Sequence, residues 1–256
     1  MPPTATTQPP TSPKYRLYHF ENTSRDLAEP VRLLFEYAGE NYEDIRFKLA
    51  NWESYWPEQV AKFEYQRVPL LEFTADSADG EWKKGEQLAE TYAILRYLAG
   101  KHGLNGASDQ ERARLDEFAD FHKDVSGEIY PYLKASRGLS CLQSTAFANS
   151  TADDLRKSHL RPTVKKFFPL YVRKLTANIK QGGFLAPSGL TWVDLVVADY
   201  LHVLKQFEPE LVENEFPELE QYRQRVFSHP KLKAYAERRQ HHVEEETKRR
   251  RNEKKE

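Results

Sequence analysis

The chain has 256 residues, a formal net charge of -1 and one cysteine, with room for one large or two small domains. That charge gives no global pull toward nucleic acid or an anionic membrane, and a lone Cys141 excludes an intrachain disulfide and points to a reducing compartment. No apolar run is long enough to span a bilayer, since the longest, Trp192 to Leu204, is interrupted by Asp194 and Asp199.

Residues 1–14, rich in Pro and Thr, read as disordered and carry no apolar core of a signal peptide. Tyr15 to Phe20 alternates as a strand, with Leu17 and His19 on one face and Arg16, Tyr18 and Phe20 on the other. After the polar loop Glu21 to Asp26, Glu29-Pro30 opens a helix with Val31, Leu33, Leu34, Tyr37 and Ala38 on its buried side, and Gly39 closes it. Tyr42 to Phe47 suits a second strand. Arg67-Val68-Pro69 then leads into a strand, Leu70 to Phe73. A cis Val68-Pro69 bond would turn the N–H and C=O of Val68 outward, where they would pair with a short peptide as an added strand does. Glu81-Trp82-Lys83 reads as a further strand.

Thr91 is placed to cap a helix with its hydroxyl, and Ala93, Ile94, Tyr97 and Leu98 follow on one face. A helix N-terminus attracts a carboxylate, and Glu90 beside it suits an ammonium group. An extended peptide edge, a carboxylate site and an ammonium site together suit a γ-glutamyl peptide. The order strand, helix, strand, Val-Pro-strand, strand, helix is that of a thioredoxin-like domain, and with no cysteine near the first helix disulfide exchange is excluded.

From Asp109 onward the pattern is helical, with Leu115, Phe118, Ala119 and Val125 forming one stripe. Tyr130 to Leu155 reads as irregular. Leu160 to Ile179 reads as one amphipathic helix. Thr191 and Asp194 form a capping pair ahead of a very apolar helix, which makes Asp194 structural. His229-Pro230 reads as the start of the last helix, and the chain becomes highly charged from His241.

The Val68-Pro69 strand followed by Glu90-Thr91-x-Ala93-Ile94 at a helix start resembles the signature of the glutathione transferases, over nearly all of residues 15–240. In detail it is similar to the sigma class, the group of glutathione-dependent prostaglandin D synthases and S-crystallins. The resemblance implies an α/β thioredoxin-like N-terminal domain (15–98), a linker (99–108) and an all-α C-terminal domain (109–240), between a disordered extension (1–14) and a charged tail (241–256). It implies glutathione as co-substrate, no metal, and a small hydrophobic electrophile to be conjugated, or else a glutathione-dependent isomerase or peroxidase reaction. It also implies a cytoplasmic homodimer, with neither nucleic acid nor membrane as partner. Trp56, in register with a family Trp-Pro-Glu, Arg67, Val68, Pro69, Glu90 and Thr91 would bind glutathione. Asp116 aligns with an aspartate that reaches across the dimer to the ammonium group of glutathione.

His19 occupies the position of the family's catalytic tyrosine, and the loop after it is longer than usual. Glutathione's thiol becomes a good nucleophile only as thiolate, and lowering its pKa by about two units needs roughly 2.7 kcal/mol of preference for the charged form. The candidates for that role are His19, Tyr18 on the opposite strand face, and Ser24, since other transferase classes use a serine just after the first strand. If none of them acts, the chain is a catalytically weak or inactive glutathione-binding or crystallin-like protein on the same fold.

Overall fold

A computed structural model describes residues 13–21, 27–48, 52–137, 147 and 149–240. The chain divides into two compact units, the first running to Leu95 and the second continuing from Arg96. Cys141, Ser24 and the tail from His241 lie outside the described residues.

The first unit is built on a four-stranded sheet of order β2-β1-β3-β4, with β1 Tyr15–Phe20, β2 Tyr42–Phe47, β3 Leu70–Phe73 and β4 Gln87–Ala89. Strand β1 runs parallel to β2, from Tyr15 opposite Tyr42 to Phe20 opposite Phe47, and antiparallel to β3. Its alternation is as the sequence predicts: Tyr15, Leu17 and His19 are buried on one face. Tyr15 stacks on Phe35 of α1 (Glu29–Ala38) at 5.4 Å. On the other face Tyr18 lies at 5.5 Å from the Phe63 ring, in a cluster with Phe47 and Trp56 of α2 (Trp52–Val60). Gly39, at φ 66°, ends α1, and the N–H of Glu40 returns to the carbonyl of Phe35, a helix-end motif that needs the left-handed conformation glycine adopts freely.

The fourth strand is not where the sequence places it. Glu81 to Lys83 sits in a turn in which the Trp82 indole stacks flat on Phe73 at 4.4 Å and the Lys83 N–H is taken by the Glu86 carboxylate. The ladder position beside β3 goes to Gln87–Ala89. Helix α3 (Thr91–His102) then buries Ile94, Leu95, Leu98 and Ala99 completely. It runs past the expected boundary at residue 98 and ends at Gly103, so the connection to the next helix is 103–108 rather than 99–108.

The second unit is helical. Helix α4 (Asp109–Ser136) starts on Ser108, whose hydroxyl accepts the Glu111 N–H at 3.1 Å. It continues straight through Pro131, where the sequence reads as irregular. The ring removes one backbone donor, but Ile129, Tyr132 and Leu133 are buried, and the Tyr132 hydroxyl donates to the Glu208 carboxylate at 2.5 Å. After α5 (Ala152–Leu155) a π-helical turn, Arg156–Leu160, leads into α6 (Arg161–Thr176), which is shorter than the predicted 160–179. Helix α7 (Trp192–Phe207) is buried from Trp192 to Leu204, followed by α8 (Pro217–Phe227) and α9 (233–240). His229 and Pro230 lie in the turn before α9 rather than at its start. Asp194 is the structural cap expected of it. Its buried carboxylate accepts the N–H (2.8 Å) and O–H (2.6 Å) of Thr191, the N–H of Leu185 (2.9 Å) and the O–H of Tyr222 (2.6 Å). Burial pushes its pKa up, against the pull of these four donors.

Candidate functional site

Trp56, Arg67, Val68, Pro69, Glu90 and Thr91, expected from sequence to bind glutathione, all lie in the first unit. The Val68-Pro69 bond is cis. The β3–β4 ladder begins at Leu70, opposite Ala89, so Val68 lies ahead of it, packed against Phe63 and Leu70. Glu90 connects β4 to α3 with φ 71°, a left-handed conformation that costs a non-glycine residue roughly 1–2 kcal/mol. The Glu90 carbonyl accepts the Ile94 N–H at 3.0 Å and so starts the ladder of α3. A helix start of this kind suits a carboxylate. The Glu90 carboxylate meets the Arg67 guanidinium at 3.1 Å, with both side chains more than half exposed (57% and 65%). Such a pair is worth little to stability and is free to reorganise around a ligand's ammonium group. An open depression of ≈ 1010 Å³ runs along 61–66 and 85–90, with Gln66 and Glu90 on its wall.

Thr91 differs from its expected role. It is the first helical residue rather than the cap, and its buried hydroxyl donates to the carbonyl of Leu27 at 3.0 Å. It therefore ties the start of α3 to the segment entering α1. Trp56 is half-buried, its indole 4.6 Å from Phe20 and 5.4 Å from Phe47.

The two strand candidates for thiol activation differ sharply. The Tyr18 hydroxyl donates to the Glu72 carboxylate at 2.6 Å, and Glu72 also receives Arg16 at 3.3 Å. Burial first, then the Glu72 carboxylate, pushes Tyr18 up to about 12, so its proton is both committed and hard to remove. His19 lies on the opposite face, 7% exposed, with Nδ1 at 3.1 Å from the carbonyl of Phe20. A carbonyl only accepts, so this contact is a hydrogen bond when Nδ1 carries the proton.

Asp116 lies in the second unit on α4. The Nε of Arg96 holds it at 2.6 Å, with Arg96 Nη2 also 3.7 Å from Asp120. The Arg96 guanidinium sits over the Trp192 ring at 5.2 Å. Sequence reasoning missed both Glu72 and Arg96. For Glu72 the signal was available in pairing: Arg16 and Glu72 face each other in the β1–β3 register. Among the described residues no group of three or more His, Cys, Asp or Glu could hold a metal ion.

Models of the glutathione S-transferase N-terminal domain and C-terminal domain match residues 13–100 and 141–239. The chain belongs to the glutathione S-transferase family. It is 31% identical over 225 residues to probable glutathione S-transferase 5 of Caenorhabditis elegans, covering 88% of this chain and 96% of that one. The structure of a Nu-class transferase from Haemonchus contortus is 33% identical, with 88% and 96% of the two chains covered and a TM-score of 0.69. A sigma-class transferase from Fasciola hepatica shares the fold at 23% identity and a TM-score of 0.67, over 88% and 96% of the two chains. The expected sigma detail is thus corrected to a broader statement: this transferase is more similar to nematode and Nu-class proteins. The expected architecture holds, a thioredoxin-like unit followed by an all-helical one. The family's chemistry uses glutathione as co-substrate.

Proposed function

We propose that this transferase activates glutathione with His19 in place of a catalytic tyrosine. The observation that carries the reading is the buried His19 imidazole at the end of β1, with Nδ1 turned to the Phe20 carbonyl. The His19 imidazole activates the glutathione thiol by stabilising its thiolate form. The thiolate attacks a small hydrophobic electrophile, or serves a glutathione-dependent isomerase or peroxidase reaction. Tyr18 is set aside because its hydroxyl is committed to Glu72.

Glutathione binds along Val68 and Pro69 as an added strand. Its γ-glutamyl carboxylate meets the first N–H groups of α3, its ammonium group meets Glu90, and Trp56 and Arg67 serve the glycyl carboxylate. The protein works as a homodimer in the cytoplasm, with Asp116 of each copy lent to the ammonium group bound by the other, and Arg96 holding that carboxylate in place. The test is the thiolate absorbance of bound glutathione against pH, in the wild type and in His19→Ala. The expected result is a bound thiol ionising well below its free value in the wild type and not in the variant. A depressed value retained in the variant would refute His19. A normal value in the wild type would mean a glutathione-binding or crystallin-like protein without transferase chemistry.

A further inference from the structure

The second unit holds a cavity of ≈ 720 Å³ between α7, α8 and α9, and none of the residues assigned above to glutathione lines it. Its wall is made by His202 and Lys205 of α7, Arg223 and Phe227 of α8, and Lys233 and Ala236 of α9. That volume suits a small organic molecule. His202 is 7% exposed, yet it forms part of this wall. Its Nε2 lies 3.3 Å from the amide nitrogen of Gln206. An amide nitrogen only donates, so Nε2 accepts and the neutral ring carries its proton on Nδ1. Burial and the cations nearby keep the ring neutral, with a pKa pushed down to about 3. Among the described residues no acceptor takes the Nδ1 proton. A buried donor without an acceptor is costly, and one that borders a cavity calls for a ligand.

The charges around the cavity set the ligand's own charge. Each cation there has an acid beside it. Glu220 takes Arg223 at 2.7 and 2.8 Å and Lys205 at 2.9 Å, and Glu213 takes Lys205 at 2.6 Å. Asp199 takes Arg239 at 2.6 Å, and Glu237 stands 3.9 Å from the exposed Lys233. At His202 the balance is uneven: Arg239, Arg223 and Lys205 act on it in one sense and Glu220 alone in the other. The field at the imidazole is therefore positive, while the acids leave room for one negative charge rather than two. The apolar part of the wall is Phe227, edge-on to His202 at 5.7 Å and beneath the Arg223 guanidinium at 5.6 Å, together with Ala236.

We infer that this cavity binds an aliphatic monocarboxylate. The carboxylate accepts the Nδ1 proton of His202 and sits in the field of the surrounding cations. The aliphatic body lies against Phe227 and Ala236, where it leaves water, and leads out past Lys233. A phosphate dianion would bring a second charge that the acids behind the cations oppose. The site is separate from the glutathione reading and independent of it.

The test is titration of the full chain with decanoate, decanol and decyltrimethylammonium below their micelle concentrations, followed by the NMR signals of the His202 ring. Those signals are assigned by their absence from His202→Gln, and they report this cavity even if an apolar probe also binds elsewhere. Two variants accompany the wild type: Ala236→Trp, which fills the cavity, and Lys233→Gln, which removes an exposed cation at its wall. Circular dichroism melting shows that each is folded. The expected result is a saturable shift of the His202 signals with decanoate alone. Ala236→Trp should abolish the shift, and Lys233→Gln should weaken binding about two- to fivefold. Three results would each overturn the inference: no shift with decanoate, an equal shift with decanol or the ammonium probe, or wild-type affinity in a folded Ala236→Trp.

Discussion

His202, on α7, gives a prediction that can be worked through from the structure. Its ring is 7% exposed and lies edge-on to Phe227 at 5.7 Å, with Nε2 against the Gln206 amide at 3.3 Å. Burial first, then Arg239, Arg223 and Lys205, pushes its pKa from 6.5 down to about 3, with Glu220 pulling the other way. The unfolded chain therefore takes a proton at this position as pH falls through 6.5, while the folded chain does not until about 3. More protons bound by the unfolded state means stability that rises with pH, so stability is lost on acidification. At about 1.4 kcal/mol per pH unit, the loss between pH 7 and 5 is about 2 kcal/mol. Any folded pKa below about 4 gives nearly the same figure over that range. His202→Gln does not titrate there, so its stability should fall less steeply by that amount. Urea unfolding of both proteins at several pH values measures the difference, and His229, whose pKa is also lowered by burial, cancels because both proteins carry it. Parallel curves between pH 7 and 5 would show that His202 is protonated in the folded state and would refute the reasoning.

Two further changes separate structure from chemistry around β1 and α3. Tyr18→Phe removes a hydrogen bond to the ionised Glu72 and should cost about 1.5–3 kcal/mol in urea unfolding while leaving the pKa of bound glutathione unchanged; a lost thiolate signal would return Tyr18 to the catalytic role. Thr91→Ala leaves the Leu27 carbonyl without its 3.0 Å donor. It should cost about 1–3 kcal/mol and weaken glutathione binding measured by calorimetry, with the fold retained; unchanged affinity would mean that the backbone N–H groups alone hold the carboxylate.

Much of the first unit was legible because its signals are local. Alternation in Tyr15–Phe20 places side chains on two faces without any knowledge of partners, and Gly39 marks the end of α1 by its own conformational freedom. Several of the misreadings involve distant partners. Glu81-Trp82-Lys83 has a strand's composition, yet Trp82 is claimed by Phe73 and the ladder goes to residues 87–89. Pro131 suggests a break by local rules, and the buried turns on either side override it. The Thr91 hydroxyl looks like a cap until Leu27, 64 residues earlier, is brought beside it. In the same way Tyr18 looked available until the β1–β3 register set Glu72 against it.

Glu90 joins two requirements that oppose each other at one position. Its left-handed backbone, φ 71°, is the conformation a glycine would hold at least cost, and its carboxylate is the group proposed to recognise an ammonium ion. A glycine there would relax the turn into α3 and remove the carboxylate together. Stability gained at residue 90 therefore comes as recognition lost. In a directed search for hardier variants of this transferase, position 90 is where a thermal screen and a binding screen should select opposite residues.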